Sequence, residues 1–91
     1  MMGHLTYTIN DDVQSCIFDD GLILFLGSSN NYYYLDFNAK EIFDLIHAGL
    51  STYQIIPYIQ SSYIGAPEVI RSDILFFLKQ LINDQILQQT C

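Results

Sequence analysis

The part of the chain that decides the fold is residues 13–35, which read VQSCIFDDGLILFLGSSNNYYYL. Residues 13–18 and the apolar segment 22–26 flank the turn sequence Asp-Asp-Gly at 19–21. Glycine adopts the positive φ that a tight hairpin turn demands without steric cost. The sequence therefore predicts a β-hairpin here, with Gly21 in the turn.

Further strand signals lie on both sides of this hairpin. Residues 27–31 are rich in turn formers, and the aromatic run Tyr-Tyr-Tyr-Leu at 32–35 suits a pleated surface. Apolar and polar residues alternate over 5–9, which is the period of a half-buried strand. We therefore predict an antiparallel meander in the N-terminal half.

The C-terminal half carries helix start and stop signals. Asn38 with Glu41, and Ser51 with Gln54, have the spacing of capping boxes, so one helix should begin after Asn38 and another after Ser51. Gly49 follows the first of these helices and should end it. The spacing of the two start signals predicts a tight helix-turn-helix.

Two prolines mark the rest of the helical half. Pro57 falls inside the second helix, where it removes a backbone donor, and predicts a kink or a short helix. Pro67 occupies a favoured first-turn position for the longest helix, over 69–83. The predicted fold class is α+β: one winged helix-turn-helix-like domain with a three-stranded antiparallel sheet followed by three helices. We expect residues 1–4 and 89–91 to be flexible.

The predicted third helix has two stripes of side chains. The first has the spacing of a buried face and consists of Ile70, Ile74, Phe77, Leu78 and Leu81. The second consists of Val69, Asp73, Phe76 and Gln80. A helix with two partly apolar stripes has two packing partners, so the second stripe is predicted to face something other than the core.

Composition limits the possible functions. Three Lys and Arg stand against ten Asp and Glu, a formal net charge of -7, which disfavours binding to DNA or RNA. The longest apolar runs have five residues, far short of the roughly 20 that a membrane-spanning helix needs. Without a secretory signal, a cytoplasmic location is expected.

Residues with catalytic or metal-binding chemistry are sparse. His4, His47 and Cys16 match no metal-ligand or nucleophile spacing. Cys16 and Cys91 are expected to be reduced thiols. The paired aspartates of the turn segments fit turns better than a calcium loop. The sequence therefore predicts a non-catalytic protein without a cofactor or a metal.

The aromatic run at 32–35 leaves two interpretations open. Alternation along a strand sends two of its side chains inward and two outward, which leaves aromatic area beside a sheet edge. One interpretation is a core strand shielded by its outer tyrosine pair. The other is an edge strand that pairs with an extended peptide by strand addition.

Residues 18–88 resemble the PqqD-like domains, which are recognition elements in the biosynthesis of ribosomally made, post-translationally modified peptides. The residues that carry the resemblance are Asp20-Gly21, Tyr33-Tyr34-Leu35-Asp36, Ile42-Phe43, Gly49-Leu50-Ser51, Asp73-Ile74, Phe77-Leu78 and Leu81. The chain departs from the family pattern at Asp36, where asparagine is usual, at Phe43, where tryptophan is common, and at Pro57.

The resemblance implies a module that binds the leader segment of a precursor peptide as an added strand. The implied leader-binding residues are Tyr32, Tyr33, Tyr34, Leu35, Asp36, Val69, Asp73, Phe76, Phe77 and Gln80. The implied partners are the precursor peptide, a leader peptidase and a downstream modifying enzyme, such as the cyclase of lasso peptide assembly.

Two other classes of function fit parts of the sequence. A winged-helix transcription regulator would place the third helix in the DNA major groove. That helix region carries Glu68, Asp73 and Asp84 against only Arg71 and Lys79, so it is poorly suited to neutralising phosphates. The remaining class is a structural subunit that dimerises through the tyrosine edge.

Overall fold

The computed structural model describes residues 6–90. Its strands are β1 (Thr6–Ile9), β2 (Val13–Phe18), β3 (Gly21–Leu26), β4 (Asn31–Leu35) and β5 (Leu87–Thr90), and its helices are α1 (Phe37–His47), α2 (Thr52–Ser62) and α3 (Pro67–Asn83). The predictions for His4, for Cys91 and for flexible residues 1–4 lie outside the described residues.

The predicted hairpin and meander are confirmed, because β2, β3 and β4 form an antiparallel sheet in that order. Phe18 pairs with Gly21, so the turn is very tight. The positive φ falls on Asp19, at 54°, and the prediction that Gly21 supplies it is wrong. Gly21 serves a different purpose, because a Cβ there would overlap the Leu35 carbonyl oxygen and stand 2.7 Å from the Tyr34 hydroxyl.

The pairing of β4 with β3 decides which aromatic side chains face the helices. Tyr33 and Leu35 pair with buried leucines of β3. Leu35 is buried and Tyr33 is half-buried against the core. Tyr32 and Tyr34 point to the opposite face, where they are 71% and 55% exposed. The predicted division into two inward and two outward side chains is confirmed.

β1 confirms the strand predicted over 5–9 within the described residues. It does not join the meander, however, and pairs with β5 in a separate two-stranded antiparallel sheet that the sequence did not predict. Thr6 pairs with Thr90, and Ile9 pairs with Leu87. Residues 89 and 90, which were expected to be flexible, therefore lie in a paired strand. The fold has these two strands in addition to the predicted three-stranded sheet.

The first helix starts earlier than predicted and ends where predicted. Asp36, not Asn38, is the N-cap, and its Oδ1 accepts a hydrogen bond from the Ala39 N–H at 2.9 Å. The first predicted capping box is therefore wrong. At the other end Gly49 has a φ of 95°. The N–H groups of Gly49 and Leu50 donate to carbonyl oxygens of the last turn, which is a Schellman ending.

The other two helices begin at the predicted signals. Gln54 Oε1 accepts a hydrogen bond from the Ser51 backbone N–H at 2.9 Å, which confirms the second capping box. Pro57 does not end α2, which continues to Ser62. α3 begins with Pro67 in its first turn, as predicted.

The helices cover one face of the three-stranded sheet and enclose the core with it. α1 packs on β3 and β4, whereas α3 packs on α2 and β5. Ile74, Leu78 and Leu81 of α3 are buried, which confirms the core stripe. The other main members of the core are Leu22, Leu24, Leu35, Ile42, Phe43, Ile46, Ile55, Ile56, Ile59, Ile86 and Leu87. Within the described part of the chain, no helix is long and apolar enough to cross a membrane.

Candidate functional site

The candidate binding site is a groove between β4 and α3, with a main cavity of about 430 Å³. The residues that line this cavity are Tyr32, Tyr33, Tyr34, Leu35, Phe76, Phe77, Gln80, Leu81 and Asp84. β4 supplies one wall and α3 supplies the other. α1 packs against β4, and α3 lies on the other side of the groove from this strand.

The backbone of β4 is open to a partner on the side away from β3. Among residues 6–90, β3 is the only strand that pairs with β4. An edge strand presents unpaired N–H and C=O groups, which form a template for another extended chain. The arrangement can therefore accommodate a peptide that hydrogen-bonds to β4 and places side chains in the groove.

A smaller cavity, of about 240 Å³, adjoins the main one, because Phe77 lines both. It lies where β4 ends and α1 begins. Its lining residues are Asp36, Asn38, Ala39, Ile42, Ile59, Tyr63, Ile70, Asp73, Ile74 and Phe77. The smaller cavity thus adds two carboxylates and a phenol to a largely apolar surface.

The phenol of Tyr63 is held in place by Glu41. Its hydroxyl donates a hydrogen bond to Glu41 Oε1 at 2.6 Å. Burial, the hydrogen bond to Glu41 and the negative charges of Glu41 and Asp36 raise the pKa of Tyr63 to about 12. Each cause disfavours the charged phenolate, so Tyr63 remains a neutral donor at physiological pH.

The structure places most of the predicted site residues in one cavity. All of them line the main cavity except Asp36, Asp73 and Val69. Asp36 and Asp73 line the adjoining cavity. Val69 is 56% exposed on the same stripe of α3 but lines neither cavity. Whether these residues contact a leader peptide stays a prediction.

Sequence reasoning missed several lining residues. Asp84 stands four residues after Gln80 and continues the second stripe of the helix, so its helical spacing was a usable signal. Leu81 was assigned to the core alone, although it also forms part of the groove. Tyr63 follows the end of α2, and no local pattern connects it with Glu41.

These features define a small α+β domain with an open sheet edge beside a groove large enough for peptide side chains. Solved structures of two proteins share its fold. One is TbiB1 in complex with the TbiA(beta) leader peptide, which is 27% identical at a TM-score of 0.82 over 89% of this chain and 94% of that one. The other is a lasso peptide synthetase B1 complexed with the leader peptide, which is 20% identical at a TM-score of 0.82 over 90% of this chain and 96% of that one.

These structural matches confirm the predicted resemblance to the PqqD-like recognition elements and the predicted fold class. No family model matches the sequence, and no curated protein matches it significantly. Both structural neighbours are complexes with a leader peptide, so the comparison lends no support to the alternative of a DNA-binding regulator.

Proposed function

We propose that this chain binds the leader segment of a ribosomally synthesised precursor peptide as a strand added to β4. The observation that carries the proposal is the open edge of β4 beside an apolar groove. The proposal is supported by the shared fold of TbiB1, whose structure holds a leader peptide.

The two parts of the site would divide the work of recognition. Hydrogen bonds between the leader backbone and β4 depend little on sequence, so they would fix the direction and position of the leader. Alternate side chains of the leader would point into the groove, where Tyr33 and Phe77 form the floor and Phe76 forms part of the rim. The groove would therefore choose which leader binds.

The affinity of such a complex is expected to be moderate. A free leader is flexible, and ordering it on binding costs conformational entropy that offsets part of the contact energy. The protein itself loses little conformational entropy on binding. Several groove residues already pack against the core: Tyr33, Leu35, Phe77 and Leu81.

We further propose that the chain is a recognition module and leaves the chemistry to its partners. A leader peptidase and a downstream modifying enzyme, such as a cyclase, would act on the precursor while this chain holds its leader. Precursor peptides are made on ribosomes, so the proposed place of action is the cytoplasm.

The proposal is tested by titrating the purified chain with the leader peptide of the precursor encoded beside it. We expect saturable binding with a dissociation constant on the order of micromolar to tens of micromolar. No saturation in that range would reject the proposal.

A backbone scan of the leader tests strand addition specifically. Single N-methyl groups, placed at successive residues, each remove one N–H donor. Because alternate N–H groups of an added strand face its neighbour, the loss of affinity should alternate with a period of two. A profile without this alternation would place the leader elsewhere.

A further inference from the structure

The side of α3 that faces the groove carries negative charge only. Asp73 and Asp84 line the two groove cavities. At about 100° per residue, both lie within about 40° of Phe77 around the helix. Arg71 and Lys79 lie about 120° and about 160° from Phe77 on the same scale, and neither lines a groove cavity.

The opposite wall of the groove is also negative. Asp36 follows β4 and lines the smaller cavity together with Asp73. Apart from Arg71 and Lys79, the chain has one more lysine or arginine, Lys40. The Lys40 ammonium pairs with Asp44 at 2.9 Å. In the part of the chain that the structure describes, no lysine or arginine lines either groove cavity.

The carboxylates stand at the two ends of the apolar part of the groove. Asp84 lines the main cavity, whereas Asp36 and Asp73 line the adjoining cavity where β4 ends. At about 1.5 Å per residue, Asp73 and Asp84 are about 16 Å apart along the helix. The five residues of β4 span nearly the same length at about 3.3 Å per residue.

We infer that the leader recognised by this chain is cationic, with lysine or arginine on each side of a central apolar segment of about five residues. One basic side chain would face Asp84, and the other would face Asp36 and Asp73. The inference rests on the proposed function and adds the charge pattern of the substrate to it. An acidic leader would meet repulsion from these groove carboxylates and from the net charge of -7.

The expected loss of affinity is small for each ion pair and measurable when both pairs are removed. Exposed ion pairs each change an equilibrium by about one-and-a-half- to fivefold, so neutralising Asp73 and Asp84, one carboxylate at each end, should weaken binding by about tenfold at low salt. The loss of affinity should appear mainly as a lower association rate constant, because charges at the rim of a binding site attract an oppositely charged ligand before contact. Raising the salt concentration should reduce the affinity of the native chain, since salt screens exposed charges.

The test compares two charge-neutralised variants. The groove variant is D73N/D84N. The matched control is D11N/E68Q, which removes the same amount of charge at exposed residues outside both cavities. Glu68 lies about 180° from Phe77 around α3. Calorimetric titrations at low and high salt would use the leader of the precursor encoded beside the chain, and the same leader with its lysines and arginines replaced by glutamine.

The inference predicts that D73N/D84N binds the native leader about tenfold more weakly at low salt and with less salt dependence, whereas D11N/E68Q changes affinity less than twofold. The glutamine leader should bind the native chain weakly, and D73N/D84N should weaken it no further. If the native chain binds the leader and the two variants behave alike, the inference is overturned while the proposed function stands. If the native chain does not bind the leader at all, the proposed function fails and the inference fails with it.

Discussion

Replacing Phe76 with alanine is expected to weaken leader binding while leaving the fold nearly unchanged. The side chain is 70% exposed and lines the main cavity. An aromatic side chain of about 200 Å² would then have about 140 Å² open to solvent, and a docked leader that covers half would bury about 70 Å². At about 25 cal/mol per Å², this area is worth about 1.8 kcal/mol, or roughly a 20-fold loss of affinity.

The matched control for this experiment is Tyr53→Ala. Tyr53 lies on α2, is 72% exposed, and lines neither cavity of the groove. Both variants should unfold within about 0.5 kcal/mol of the native chain, as is usual at exposed positions. Calorimetry with the leader peptide should show the loss for Phe76→Ala alone. Equal affinities for the two variants would show that the leader does not cover Phe76.

Two further predictions concern the supports of the groove. Gly21→Ala should destabilise the chain by about 1–3 kcal/mol, because the new Cβ would overlap the Leu35 carbonyl oxygen; an unchanged midpoint in urea denaturation would contradict this. Tyr63→Phe should cost about 1 kcal/mol through loss of the hydrogen bond to Glu41. Folding raises the pKa of Tyr63 from 10.0 to about 12. The difference in unfolding free energy between the native chain and Tyr63→Phe should therefore be constant below pH 10 and shrink as the pH rises toward 12. Unfolding curves of both chains at several pH values would measure this difference.

The parts of the fold that the sequence predicted are those with local causes. The box formed by Ser51 and Gln54, the ending at Gly49 and the first-turn Pro67 each depend on residues a few positions apart. The hairpin at 19–21 was equally local. The structure keeps these local features because no tertiary contact requires the same backbone groups elsewhere.

At the start of α1, two local signals predict different N-cap residues, and the tertiary structure determines which of them caps the helix. Asp36 and Asn38 are both good N-cap residues, and only Asn38 has a partner at the spacing of a capping box. β4 continues as far as Leu35, which pairs with β3. The chain therefore reaches Asp36 in extended geometry, which suits an N-cap, and the helix begins directly after it.

The pairing of β1 with β5 had no local cause to detect. The partners lie at opposite ends of the chain, and the segment Leu-Gln-Gln-Thr at 87–90 has no clear strand pattern. Ile86 and Leu87 are buried, and their burial turns the chain back along β1 after α3 ends. Pairing between distant segments depends on the packing of the whole core, so a short stretch of sequence does not predict it.

The candidate site was predictable to the extent that it follows helix and strand periodicity. The alternation at 32–35 and the second stripe of α3 identified the two walls, and the family resemblance joined them into one groove. Asp84 was missed because the helix was predicted to end at residue 83, although the groove continues to its C-cap. Tyr63 was missed because its position depends on a hydrogen bond to another helix.

Among residues 6–90, the edge of β4 stays open because the remaining strands pair elsewhere. β5 pairs with β1 in a separate sheet, so the C-terminal strand does not cover β4. The groove beside that edge stays open because its floor is fixed, with Leu35 and Leu81 buried in the core. A site whose walls are already packed loses little entropy on binding, so most of the ordering cost falls on the peptide. Substitutions in the floor should therefore reduce both stability and binding, whereas substitutions at the exposed rim should reduce binding alone.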